Sequence, residues 1–281
     1  GKLVYQFHSV PIDLANILSN KLFSHLERAV FTSATLAVND SFDYIKSRWG
    51  LYFYDDDLIQ TKTFYSPFSY PEQMQFIIAD YLSDPKSEVY ASEVSGFIIS
   101  ILPKINRNTL ILFTSYRMLK EVYANILENL NDSDFILLAQ GIHGSRSSIL
   151  NKFKTSNNAI LLGTSSFWEG VDIPGNALEC VIITRLPFDV PTDPVVEARV
   201  QRINATEGNA FFKFIVPEAL VKFRQGIGRL IRSGEDMGSM IVLDNRINST
   251  RYGHLFLKAS PSDPITCRSD EEVLTHIKKW F

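Results

Sequence analysis

Cysteine is nearly absent from this chain of 281 residues: only Cys180 and Cys267 occur. Two cysteines build neither a disulfide framework nor a four-cysteine iron–sulfur site, so they read as ordinary reduced thiols of a cytosolic protein. The five histidines show no HxxxH or comparable spacing, which argues against a bound metal. No apolar run reaches the roughly 18 residues that a membrane-spanning helix needs. The opening GKLVYQFHSVPIDL is too polar for a secretory signal. An excess of positive charge is missing as well. The formal net charge is −3, so any contact with nucleic acid has to be local. Internal repeats and low-complexity segments are absent, and the twelve prolines are scattered rather than gathered into a linker.

What remains is a chain of ordinary globular composition, 45% apolar, long enough for one large or two small domains. Early on, DLANILSNKLFSHLE has helical period and RAVFTSATL reads as a short strand. DSFDYIKSRWGL reads as a second helix, with Asp40 or Ser41 as its cap and Gly50 as its stop. Residues 51–72 are aromatic-rich and irregular, and the acidic run Asp55, Asp56 and Asp57 reads as a solvated loop. From about residue 86 the pattern becomes regular. Helix SEVYASEVSGFIISILPKI leads to strand TLILFTS, then helix YRMLKEVYANILENL, strand FILLAQ, helix SRSSILNKFK and strand NAILLGT. Strand LECVIITRLPF, helices over 193–206 and 217–232, and strand GSMIVLDNR follow. These strands are continuous apolar runs, the mark of strands covered on both faces. The fold class expected is therefore α/β, a mostly parallel sheet flanked by helices. In such sheets chemistry gathers at the carboxyl ends of the strands. Here those ends read FTSY, AQGIHG, GTSSFWEGVD and DNR.

Two segments carry candidate chemistry. In LLGTSSFWEGVDIPG, Thr164, Ser165 and Ser166 offer hydroxyls and backbone N–H groups to an anion or phosphodiester. Trp168 reads either as a base-stacking face or as a core side chain. Glu169 and Asp172 flank Gly170 and need a partner such as a sugar hydroxyl or an arginine. In PEALVKFRQGIGRLIRSGEDMG, Leu220, Phe223, Ile227 and Leu230 form a buried helical face, and Pro217 suits a first turn. Gln225, Arg229 and Arg232 fall on another stripe of the same helix. Two arginines side by side favour an anion between them, with a triphosphate the natural candidate; the alternative is a solvated basic patch. Gly226 and Gly228 each cost roughly 1 kcal/mol of helix propensity, which suggests that a backbone or ligand comes close there.

The order TSATL (32–36), LGTSSFWEGVDIPG (162–175) and QGIGRLIR (225–232) resembles motifs III, V and VI of superfamily 2 helicases, in the branch of XPD and the bacterial DinG proteins. LILFTSYRML (110–119) resembles motif IV, and VIITRLPFDVPTDPVVEARV and LDNRINSTRYG are also DinG-like. The resemblance extends over nearly the whole chain. It implies a RecA-like second motor domain over 61–281, preceded over 1–60 by the end of a first motor domain. It implies ATP with Mg2+, held mainly by that first domain. By motif position the resemblance implies Arg232 as the arginine finger with Arg229 as its partner, and it would place Gln225, Asp172, Glu169 and Gly170 on the nucleotide side. Ser115, Tyr116, Thr164, Ser165 and Trp168 would touch single-stranded DNA.

Two family features are missing. There is no GxxxxGK[ST] phosphate loop and no acidic DEAH-type box, and both belong to the first motor domain. The chain also opens on Gly1. The expectation is a C-terminal piece of a longer ATP-dependent DNA helicase, inactive as a hydrolase by itself, with no iron–sulfur cluster of its own. Its partners would be single-stranded DNA and the upstream first domain, with no membrane, in a bacterial cytoplasm. The TSATL strand would be orphaned and open to self-association. The alternative is a nucleic-acid-binding accessory domain of a DinG-like exonuclease that does not unwind DNA.

Overall fold

The computed structural model describes residues 9–130, 135–168, 173 and 177–281. The chain divides into two compact units, Gly1–Tyr65 with Phe188–Glu218, and Ser66–Pro187 with Ala219–Phe281. The segment 188–218, read from the sequence as part of the second motor domain, thus groups with the N-terminal residues.

The second unit is built on seven strands: β1 Met74–Ala79, β2 Thr109–Leu112, β3 Ile136–Ala139, β4 Ala159–Gly163, β5 Cys180–Ile183, β6 Gly238–Val242 and β7 Pro264–Cys267. They form one sheet in the order β3-β4-β2-β5-β6-β1-β7, and every pairing is parallel. The five inner strands are buried at every position, whereas the edge strands β3 and β7 keep exposed residues. That difference explains why the inner strands read as unbroken apolar runs.

Side chains alternate between two apolar layers. Ile77, Ile111, Ile160, Ile182 and Ile241 face the helices Tyr90–Ile105, Tyr116–Asn129 and Asp270–Trp280 in one continuous cluster. On the other side Phe76 meets Phe223 of the Val216–Ile227 helix, with ring centroids 6.4 Å apart, and Phe223 meets Phe256 at 5.3 Å. Ser115, Ser145 and Ser269 each cap a helix by accepting an N–H from three residues on, at Met118, Ser148 and Glu272. Sequence reading missed β1 and β7. MQFIIA follows an irregular aromatic stretch and carries polar Gln75 within its apolar run, and PITC is a short, half-exposed edge.

The first unit contains the helices Ala15–Lys21, Asp43–Trp49 and Pro194–Thr206. Gly50 ends the second of these at φ +71°, and a Cβ there would stand 2.6 Å from the Ala15 carbonyl oxygen. Arg202 pairs with Asp13, and Arg48 lies over the Phe214 ring, 5.5 Å from its centroid. The expected RAVFTSATL strand does not form. Residues 28–36 are coil and turn, and Val30 is 88% exposed. Among the described residues no strand lies alongside to complete a ladder, and an unpaired extended segment has no backbone bonds to hold it.

Candidate functional site

The Val216–Ile227 helix does not begin at Pro217, because a π-helical turn, Phe211–Ile215, runs straight into it. Nor does it continue to residue 232. The N–H of Gly228 still bonds the Arg224 carbonyl at 2.9 Å. Arg229 and Leu230 then bond back only three residues, to Gly226 at 3.2 Å and Ile227 at 3.0 Å. The helix tightens and stops. Gln225, Arg229 and Arg232 therefore do not share one helical stripe. Gln225 lies in the last turn, Arg229 in the turn beyond it, and Arg232 in the loop that leads to β6.

That loop is braced. The Asp236 carboxylate accepts from the N–H of Arg232 at 2.7 Å, the N–H of Ser233 at 2.8 Å and the Ser233 hydroxyl at 2.8 Å. The buried Gln73 amide donates to the carbonyls of Ser233 and Asp236, both at 2.9 Å. Partial burial pushes the Asp236 carboxyl upward. The Ser233 hydroxyl, the two backbone N–H groups and the Arg232 charge outweigh it and hold the group below the usual carboxylate range. The anchor beneath Arg232 thus stays ionised at neutral pH.

Gly226 has a specific neighbour. The Trp168 indole is 3% exposed, and a Cβ at residue 226 would lie 3.1 Å from its Cζ3 and 3.3 Å from its Cε3. The indole Nε1 donates to the Phe113 carbonyl at 3.5 Å, and Arg229 Nη2 donates to the Trp168 carbonyl at 3.2 Å. The core alternative for Trp168 is thus the one seen, and its face is not open to a base. Glycine at 226 makes room for a tryptophan rather than for a phosphate. Gly228 is exposed and would meet nothing closer than 3.5 Å, so no described neighbour requires it to be glycine.

Strand ends β2, β3 and β4 place the remaining candidates. Ser115 caps the helix after β2, and Tyr116 beside it is 45% exposed, with its ring next to Gly141. Thr164 is buried at the end of β4, and its N–H and hydroxyl both donate to Gln140 Oε1, at 2.7 and 3.0 Å. Its donors are therefore occupied within the protein. Ser165 opens the helical turn Ser165–Trp168; its side chain lies outside the described residues, as do Glu169, Gly170 and Asp172. Gln225 Oε1 is buried and accepts no hydrogen bond from the described residues. Such an acceptor costs about 1–3 kcal/mol when left unmet, which marks a position suited to a further donor.

Sequence reasoning missed a buried ion pair at the end of β6. Asp244 is fully buried, and its carboxylate accepts from Arg246 Nη2 at 2.6 Å, Arg246 Nε at 2.8 Å and the Leu186 N–H at 2.8 Å. The DNR triplet was its only signal. Beside it, the buried Tyr90 hydroxyl donates to the Thr184 carbonyl, and Arg185 lies over the Tyr90 ring at 5.1 Å. Burial and the Asp244 charge raise the Tyr90 phenol well above its ordinary value. Changing Asp244 to alanine strands the Arg246 cation, so it is expected to cost about 3–5 kcal/mol, read as a lower urea midpoint at unchanged slope. A shift below about 1 kcal/mol would show that the pair does not hold the carboxyl ends of β5 and β6 together. The two cysteines are buried thiols, and burial pushes them up to about 12 at Cys180 and about 11 at Cys267.

A family model described as the helicase C-terminal domain matches residues 98–263. The chain is 39% identical over 281 residues to a Bacillus subtilis protein named 3'-5' exonuclease DinG, covering 99% of this chain and 30% of that protein. It is 33% identical over 262 residues to the Haemophilus influenzae ATP-dependent DNA helicase YoaA, covering 93% of this chain and 40% of the relative. A solved structure titled XPD helicase superposes with a TM-score of 0.57 at 21% identity, covering 84% of this chain and 42% of that one, and it shares the fold. This chain therefore spans well under half the length of these relatives.

Proposed function

Because this chain belongs to the DinG/XPD family of helicase C-terminal domains, we propose that it is the second motor domain of an ATP-dependent DNA helicase in the bacterial cytoplasm. The observation that carries this reading is the junction at the carboxyl edge of the sheet. There the Gln225–Arg232 segment and the Thr164–Trp168 turn are locked together through Gly226, Trp168 and Arg229. Arg229 and Arg232 would face the phosphates of ATP held by the upstream first domain, with Arg232 as the finger, and Gln225 would hydrogen-bond near the nucleotide. The braced loop under Arg232 fits such a role, and the unmet Gln225 acceptor suits a hydroxyl or water donor there. Glu169, Gly170 and Asp172 would complete the nucleotide side. ATP with its Mg2+ supplies the phosphoryl group and charge compensation when bound. That ion would be held mainly by the upstream first domain. Ser115, Tyr116 and Ser165 would contact single-stranded DNA, while Thr164 and Trp168 shape the loop that presents it. The segment Thr32–Leu36, exposed over its first three residues and without a ladder among the described residues, would dock on the upstream domain or on a second copy.

If these contacts are to phosphates, binding of an oligothymidylate weakens linearly in log–log salt plots, with a slope of roughly −0.7 per phosphate for a single strand. Salt-independent binding would contradict the assignment. The name of the Bacillus subtilis relative favours a second reading, an accessory DNA-binding domain of an exonuclease. On that reading DNA binds with the same salt dependence but ATP is not turned over.

A further inference from the structure

Gln140 is the first residue beyond edge strand β3, and its N–H continues the ladder by donating to the Leu162 carbonyl at 3.0 Å. Its side chain then crosses to the end of β4. Oε1 accepts from Thr164 N at 2.7 Å and from Thr164 Oγ1 at 3.0 Å, and Nε2 donates to Ser166 Oγ at 2.8 Å. Both lone pairs of the amide oxygen and one amide proton are committed to a single loop. The far end of the same turn is fixed by Trp168, whose ring packs on Gly226 and whose carbonyl accepts from Arg229. The four-residue turn Ser165–Trp168 is thereby held at both ends, by an edge-strand amide on one side and by the Gln225–Arg232 segment on the other.

We propose that Gln140 is a positioning residue for single-stranded DNA: its amide fixes Thr164 and Ser166, so that the turn after β4 meets the strand in one preset geometry. This rests on the reading of that turn as part of the DNA path. The amide serves both ends at once, accepting from Thr164 and donating to the Ser166 hydroxyl. Leucine keeps the volume and loses every bond. Glutamate keeps the acceptor for Thr164. Valine at 164 removes one donor and leaves the rest.

The test uses the full natural polypeptide, a fluorescent oligothymidylate, a non-hydrolysable ATP analogue and hydrogen exchange over residues 161–168. Gln140→Leu is expected to raise the oligonucleotide Kd by roughly tenfold, the scale of one or two lost hydrogen bonds, and to leave analogue binding within about twofold. Thr164 amide exchange should quicken in Gln140→Leu and stay slow in Gln140→Glu. Thr164→Val should weaken oligonucleotide binding in the same direction, and the double variant should bind no worse than Gln140→Leu alone. A wild type that binds while Gln140→Leu binds within about twofold of it overturns this inference and leaves the DNA reading standing. A wild type that binds no oligothymidylate overturns the DNA reading and this inference with it. Equal loss of nucleotide and DNA binding in Gln140→Leu would make the residue structural only, and would also overturn the proposal.

Discussion

Replacing Arg232 with alanine in the full natural polypeptide is expected to lower single-strand-stimulated ATP hydrolysis by about 10³-fold or more, the scale of a lost arginine finger. The backbone beneath it should not move. Its N–H is held by Asp236 and the adjoining Ser233 N–H by the same carboxylate, and neither bond depends on the guanidinium. Oligothymidylate binding should therefore remain close to wild type, so the loss falls on turnover. Arg229→Ala is expected to behave differently. That guanidinium donates to the Trp168 carbonyl, so its removal loosens the turn after β4 as well as the nucleotide side. A variant lacking Arg232 that keeps wild-type turnover would contradict the finger assignment.

Trp168→Ala is expected to destabilise the second unit by about 3–5 kcal/mol, because it removes a buried indole and leaves a cavity beside Gly226 and the Phe113 carbonyl. Gly226→Ala approaches the same contact from the other side. Its methyl group would stand 3.1 Å from the indole, tighter than ordinary packing, and should cost about 1–3 kcal/mol. Trp168→Phe vacates part of that space, so the double variant Trp168→Phe with Gly226→Ala should be more stable than the sum of the single changes predicts. Denaturant midpoints at constant slope read all three. Strict additivity would mean that the glycine and the tryptophan do not answer to each other.

Of the strands buried at every position, β2, β4, β5 and β6 were legible as continuous apolar runs, whereas β1, equally buried, was not, and the half-exposed edge strand β3 was. Runs such as TLIL, AILL and CVII leave no alternative to a covered parallel sheet. The RAVFTSATL run looks just as apolar, yet it stays coil, because a strand depends on a neighbour that periodicity does not reveal. The helix carrying Gln225 was legible from its apolar face, but its end was not. Propensity allows the helix to run on through Gly228, whereas the Asp236 cap and the Gln73 amide draw the chain into a loop by contacts remote in sequence. The same limit applies to the glycines. Their presence signalled a close approach at 226, and only the fold shows that the visitor is Trp168. Gln140 gave no pattern, since its partners Thr164 and Ser166 are brought to it by the β3–β4 pairing, and the Asp244–Arg246 pair left only the DNR triplet as a trace.

If this chain is one half of an ATP-driven motor, the wild-type full natural polypeptide hydrolyses ATP at a rate that rises on adding oligothymidylate and collapses in Arg232→Ala. Firm DNA binding with no ATP hydrolysis, with or without DNA, would contradict it and leave the chain as the binding arm of another activity.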